Sequence, residues 1–267
     1  MAKTERELAF LRDLDINETW TKRFTDLLDK HVGFKKAEKI LYINAGTGDH
    51  CIAVREKLNE KTEMFATCEN DELLKIARDK GAAVRANIDF PEGDLDDDSF
   101  DVVVADASFA QADSIEELIT DAVRVARPGG EVAVVLPSAG SFGEVFSLLW
   151  EVFFSEELGD ETNAAETLIA RIPSISRIEE IASNAGLTEV KTESTKEVFE
   201  NENGAEFIGS PLVADFLLPV WFETLDEDQA ERATQKLSQL IDDEDGDLAF
   251  RFSVKATLVS GKKEHLN

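Results

Sequence analysis

Ile40-Leu-Tyr-Ile-Asn-Ala-Gly-Thr-Gly-Asp49 is an apolar run that stops at a Gly-x-Gly turn and passes directly into a helical pattern. A buried parallel strand ending in a tight turn aims the backbone N–H groups of the next helix at whatever occupies the crevice. Glycine there lets a ligand approach the main chain. Gly46 and Gly48 are expected to supply that approach, so this turn is the expected seat of a small-molecule cofactor.

Outward from the turn, apolar runs at 40–43, 63–68, 82–86, 101–105 and 131–136 alternate with helical patterns near 49–60, 71–80 and 114–126. That alternation predicts an α/β chain built on a doubly wound, mostly parallel sheet. Asp101-Val-Val-Val-Ala105 is apolar at consecutive positions, as a strand covered on both faces must be, and belongs at the sheet centre. Arg127-Pro-Gly-Gly130 reads as a helix stop followed by a turn. Residues 4–31 place Leu8, Leu11, Trp20, Phe24, Leu27 and Leu28 at helical spacing, with Asn17 expected as a cap between two short helices. They form an expected helical cover, 1–37, ahead of an α/β domain over 38–267.

Beyond 136 the alternation loosens. Two helical insertions, about 138–172 and 205–242, interrupt the remaining strands near 187 and 250–259 and suggest a lid. Phe142, Phe146, Trp150 and Phe153 in the first, with Phe207, Phe216, Trp221 and Phe222 in the second, either roof an apolar acceptor pocket or pack as core or a dimer face.

Composition excludes several classes. Asp and Glu number 56 against 28 Lys and Arg, a formal charge of −28, and no basic stripe interrupts it. Phosphate binding draws on clustered cations, so nucleic acid and anionic membrane surfaces are not expected partners. The start is charged and lacks a signal-peptide core, and no stretch of about 18 uncharged apolar residues occurs, which predicts a soluble, unprocessed, cytoplasmic protein without membrane insertion. Cys51 and Cys68 form neither a CxxC pair nor a metal-ligand set, in keeping with a reducing compartment. The acidic runs 92–98 and 242–247 are expected to be solvated loops. Counting back from Gly246 puts Ile241 where a calcium loop needs its first carboxylate. No metal site, Gly-x-Ser-x-Gly elbow or Walker loop is expected.

The ordered set of motifs resembles class I S-adenosylmethionine-dependent methyltransferases, particularly the ubiquinone/menaquinone-type small-molecule branch. The set comprises the turn at 46–48, Glu69 closing the second strand, Asn87-Ile88 after the third, Ser99-Phe-Asp-Val-Val-Val104 at the fourth and Val123-Arg-Val-Ala-Arg-Pro-Gly-Gly130 before the fifth. The resemblance covers about residues 38–136. It implies a Rossmann-like methyltransferase fold with a seven-stranded sheet, S-adenosylmethionine as cofactor and S-adenosylhomocysteine as product. It further implies a cofactor site at Tyr42, Asn44, Ala45, Gly46, Thr47, Gly48, Glu69, Asn70, Asn87, Ile88, Ala105, Asp106 and Ala107. In it, Glu69 would accept from vicinal ribose hydroxyls, Asn87 would meet the adenine edge, Ile88 would pack on its face, and Ala105–Ala107 would line the sulfonium end. The family pattern has an acid at the position of Tyr42 and a glycine at that of Asn44, two departures here.

The expected reaction is methyl transfer to a small molecule, which needs alignment more than a protein nucleophile. Where the acceptor must lose a proton, Asp106, at the expected end of the fourth strand, is the candidate base, ahead of His50. Two other readings stay open. The spacing of about twenty residues between Gly48 and Glu69 also suits an NAD-dependent oxidoreductase, although Cys51 stands where its third glycine belongs. The departures at Tyr42 and Asn44 also suit a non-catalytic module that binds a protein partner. The acceptor and the oligomeric state, homodimer included, are not legible.

Overall fold

The computed structural model describes residues 3–156, 158, 162–245 and 249–265. Parts of the acidic segments at 156–166 and 242–247 therefore lie outside the described residues. The chain divides into two compact units, Met1–Pro137 with Ser174–Thr195 and Ala256–Asn267, and Ser138–Pro173 with Lys196–Lys255.

The first unit opens with one continuous helical rod. Thr4 and Glu7 form a reciprocal capping box at the start of α1 (Glu5–Leu11), a π-helical segment follows over Arg12–Thr21, and α2 (Lys22–His31) completes it. Asn17 is therefore not a cap, as its spacing predicts. It lies inside the π segment, where the Lys22 N–H reaches back to its carbonyl. The wider π turn brings Arg12, Ile16 and Trp20 to one buried face at intervals of four.

Behind the rod the sheet has strand order β2-β1-β3-β4-β6-β5, from β1 (Lys39–Ile43), β2 (Glu63–Ala66), β3 (Phe100–Asp106), β4 (Ala126–Ser138), β5 (Leu187–Asn201) and β6 (Phe250–Lys263). β1 pairs in parallel with both β2 and β3, and β3 with β4. β5 and β6 run antiparallel, since Thr188 bonds to the Lys262 carbonyl while Ser194 meets Thr257 further back along β6. Helices α3 (Asp49–Glu56), α4 (Asp71–Val84), α5 (Ile115–Val125) and α8 (Ile175–Asn184) make the crossovers. On one sheet face Leu41, Ile43, Val103, Ala105, Val132 and Val134 pack with Ile119 and Val123 of α5 and Ile178 of α8. The alternate residues Ile40, Tyr42, Val102 and Val104 are buried as well, so both faces are covered, as the unbroken valine run requires.

The sheet has six strands rather than the expected seven. Residues 82–84 complete α4 instead of forming a strand, because two alanines extend a favourable helix until Arg85 stops it at φ 57°. What remains of that strand is one parallel bridge between Asp89 and Phe65. Arg127-Pro-Gly-Gly130 is likewise no free turn. It is looped out within β4, where the register jumps from Phe100–Ala126 to Val102–Glu131. A Cβ on Gly130 would stand 2.9 Å from the Phe100 carbonyl, so the loop-out needs glycine.

In the second unit, α6 (Gly143–Ser155), α7 (Thr162–Arg171), α9 (Gly204–Gly209), α10 (Leu218–Trp221) and α11 (Glu227–Asp245) accompany the ends of β5 and β6. Its aromatics form a core of their own. Phe252 stacks on Phe199 with centroids 4.8 Å apart, Phe207 meets it edge-on at 5.6 Å, and Trp221 packs edge-on against Phe142 and Phe146 at 5.4 and 5.7 Å. Phe142, Phe146, Phe153, Phe207, Trp221 and Phe222 are all buried, so these side chains follow the core reading; Trp150, 39% exposed, does not. Among the described residues, no helix is long and apolar enough to cross a membrane, and no group of three or more His, Cys, Asp or Glu could hold a metal ion.

Candidate cofactor site at the carboxyl ends of β1, β2 and β3

The strand order reverses between β1 and β3, because the chain adds β2 on one side of β1 and β3 on the other. Open α/β sheets bind ligands at such a switch point, outside the carboxyl ends of the strands. Three loops meet there.

After β1, Asn44, Gly46 and Gly48 all take positive φ (58°, 57° and 90°). Asn44 thus holds the left-handed conformation a glycine would take, and its amide donates to the Asp106 carbonyl at 3.2 Å. The turn is anchored sideways by the Ala45 N–H on the Thr67 carbonyl at 2.8 Å and the Thr67 N–H on the Tyr42 carbonyl at 2.9 Å. The two glycines have different reasons. A Cβ on Gly48 would lie 3.1 Å from the Cβ of Ala77, so Gly48 admits α4 rather than a ligand. At Gly46 the nearest group would be the guanidinium of Arg12, also at 3.1 Å.

After β2, Glu69 accepts from the Gly46 N–H at 3.2 Å through Oε2 and from Arg12 Nη2 at 3.0 Å through Oε1. Asn70 spends its side-chain oxygen on the Leu73 N–H, capping α4. After β3, Asp106 is buried and its Oδ1 accepts the Ser108 N–H at 2.8 Å. Burial pushes its carboxyl up to about 6, against the opposing pull of hydrogen bonding from Ser108 and of the Arg12 charge. Asp106 is therefore ionised at neutral pH but within reach of a proton. Ala105 and Ala107 are fully buried.

Asp89 is in bridge register with Phe65, which itself pairs with Leu41, so Asn87 and Ile88 lie on the amino-terminal side of that level. The Asn87 carbonyl is held there by Arg55 Nε at 2.9 Å. The residues at that level and on its carboxyl side are Asp89 and Phe90. Tyr42 is buried with its hydroxyl 3.0 Å from His50 Nδ1. Burial pushes the phenol well up and pulls the His50 imidazole down, despite Asp29 at 3.6 Å from Nε2, so both are neutral at pH 7. Cys51 turns its thiol onto the Gly48 carbonyl, and burial pushes Cys51 and Cys68 up to about 12, which leaves both as thiols.

Sequence reading missed the rod's contribution. Besides Arg12 on Glu69, Asn17 donates to Thr47 Oγ1 at 2.6 Å and to Asp49, and Lys80 of α4 bridges Asp13, at 2.6 Å, to Asp49. The available signal was Arg12 itself, at the position where the four-residue interval of Ile16, Trp20 and Phe24 demands a buried side chain. A separate cavity of about 740 Å³, lined by Val32, Phe34, Lys57, Asp101, Arg127 and Glu131 among others, lies at the amino ends of the strands and shares no residue with this crevice.

Fold and crevice together define a doubly wound α/β protein with an open crevice at its switch point. Residues 8–198 match the ubiE/COQ5 methyltransferase family, and the chain belongs to that family. It is 28% identical over 141 residues to the ubiquinone/menaquinone biosynthesis C-methyltransferase UbiE of Azotobacter vinelandii, a match covering 49% of this chain and 54% of that protein. The chain thus spans about half the length of that relative. Its fold is similar to that of the YcgJ protein from Bacillus subtilis (TM-score 0.59, 16% identity, 92% of this chain and all of that one). It is also similar to Haemonchus contortus phosphoethanolamine N-methyltransferase 2, solved with phosphomonomethylethanolamine and S-adenosylhomocysteine (TM-score 0.56, 12% identity, 98% of this chain and 59% of that one).

Proposed function

We propose that this chain transfers a methyl group from S-adenosylmethionine to a small molecule. The observation that carries the reading is the convergence of the Gly46 turn, Glu69 and Asp106 at one switch point. The residues present fit such a cofactor. A carboxylate offers about four lone-pair directions. Gly46 and Arg12 take two of Glu69's, leaving two for vicinal ribose hydroxyls. Tyr42 through Gly48, Asn70 and the buried backbone of Ala105–Ala107 would complete the cradle, with Asp89 and Phe90 taking the adenine-edge role expected of Asn87 and Ile88. Glu69, Asp89 and Asp106 outnumber the Arg12 guanidinium and leave the crevice net negative, complementary to a cofactor of net positive charge.

When bound, S-adenosylmethionine supplies an already activated methyl group, so the protein's task is to bind and align. Asp106 would hold a proton released by the acceptor, as methylation at carbon requires, the reaction the Azotobacter relative's name states. Its elevated pKa places it nearer the operating pH than an ordinary carboxylate. The free thiols of Cys51 and Cys68 support a reducing, cytoplasmic setting, and the excess of acid over base argues against a nucleic-acid partner. A homodimer or protein partner would be tested by sedimentation.

Calorimetric titration of the purified chain with S-adenosylmethionine, S-adenosylhomocysteine and NAD tests the reading. Micromolar binding of the two sulfur ligands but not NAD, lost in a folded Glu69→Ala variant, is expected. Binding of NAD alone would favour the oxidoreductase reading, and a folded chain that binds none would favour a non-catalytic module.

A further inference from the structure

Arg12 is a cation inside the crevice rather than on its rim. Its side chain is 8% exposed, it donates to Glu69 at 3.0 Å, and its Cζ lies 4.5 Å from the centroid of Phe109, in the loop after β3. Its guanidinium stands against the open side of Gly46, and its Nε is buried with no hydrogen-bond partner. A buried guanidinium N–H left unpaired is costly, and a planar fork of five donors suits a carboxylate better than a point charge does. The other cation at this turn, Lys80, sits on Asp13 and Asp49. Glu69, Asp106 and Asn44 offer the ligand acceptors or are already engaged, so Arg12 is the group beside Glu69 and Gly46 that can answer an anion.

Resting on the cofactor reading above, we infer that Arg12 forms a carboxylate subsite that reads the amino-acid end of S-adenosylmethionine. The rod is then part of the binding site and not only a cover. Arg12 keeps one N–H on Glu69, the ribose acceptor, and turns its free donor to the ligand's carboxylate, so one side chain links both ends of the ligand. A ligand of the same nucleoside and sulfonium chemistry that lacks the carboxylate leaves that donor buried and unpaired.

The test compares S-adenosylmethionine with its decarboxylated form, which differs only in that group, by calorimetric titration of the wild type, Arg12→Ala and Arg12→Lys. The wild type is expected to prefer the carboxylate form by roughly 10- to 100-fold, the value of one charge-assisted hydrogen bond. Arg12→Ala should collapse the preference to about threefold or less, with Arg12→Lys between them, since a lysine keeps the charge but not the fork. The ratio of two affinities on one variant cancels any loss of folded protein, and Arg12→Lys carries the comparison should Arg12→Ala not fold. No preference in the wild type, or an Arg12→Ala variant that weakens both ligands alike, overturns the subsite and leaves Arg12 acting through Glu69. A wild type that binds neither ligand overturns the cofactor reading itself.

Discussion

Asp106 is buried as a carboxylate at neutral pH, and its elevated pKa is a debt in stability. A group whose pKa is about 6 folded and 3.8 unfolded binds more protons in the native state between those values, so stability falls as pH rises through that window. Asp106→Asn keeps an acceptor for the Ser108 N–H and removes the charge. It is expected to raise unfolding free energy by on the order of 3 kcal/mol above pH 6, the gain fading as pH falls toward 4. Urea titrations at several pH values measure this, and a gain independent of pH would refute it. His50 works with the opposite slope: its lowered pKa gives stability that is present above its ordinary 6.5 and lost as pH falls through its folded value. At the adenine edge proposed above, Asp89→Ala should weaken S-adenosylhomocysteine binding several-fold more than Asn87→Ala does, because Asp89 lies closer to the strands' carboxyl ends while the Asn87 carbonyl is taken by Arg55. Equal effects in calorimetry would return the role to Asn87.

The elements that build the crevice are held by short polar ties as well as by core. Asn17→Ala removes the tie from the π segment to Thr47 and should cost roughly 1 kcal/mol, the net worth of a hydrogen bond. Amide hydrogen exchange over 12–21 should accelerate while exchange in β1 and β3 stays slow; uniform acceleration would show that the rod does not open by itself. Gly48→Ala meets two penalties at once, φ of 90° and Ala77 at 3.1 Å, and is expected to cost about 1–3 kcal/mol in denaturant unfolding. In the second unit, Phe252→Ala removes the ring that Phe142, Phe199 and Phe207 share and should cost about 3–5 kcal/mol. A loss under 1 kcal/mol would mean that the aromatic core tolerates a void.

Across the molecule, a charge of −28 works against compactness. Acids outnumber bases two to one, so repulsion among carboxylates exceeds what the cations neutralise. Raising ionic strength shortens the screening length from about 10 Å at 0.1 M to about 3 Å at 1 M. The melting temperature should therefore climb with salt at pH 7, and a fall would mean that surface ion pairs such as Lys57–Asp29 outweigh the repulsion. The sequence was most legible where the signal is local. The valine run of β3, the Gly-x-Gly turn and the amphipathic α5 carry their own periodicity or conformational demand, and they form as read. At 82–86, helix propensity and strand pattern competed within a few residues: the helix took 82–84, Arg85 ended it, and a single bridge at Asp89 follows. Glu69 was legible because its spacing from the turn is fixed by one helix and one strand. Arg12 was not, because its partner is 57 residues away and a charged residue in a helix ordinarily faces water. By itself, then, the sequence determined the parallel α/β order and the crevice at the end of β1. Only the tertiary structure decided that a π turn would bring Arg12 beneath the rod to Glu69, that Gly48 would serve α4, and that the inserted aromatics would make a core of their own. Backbone geometry is written in short stretches of residues, whereas a buried side chain's partner is set by packing between stretches far apart in the chain.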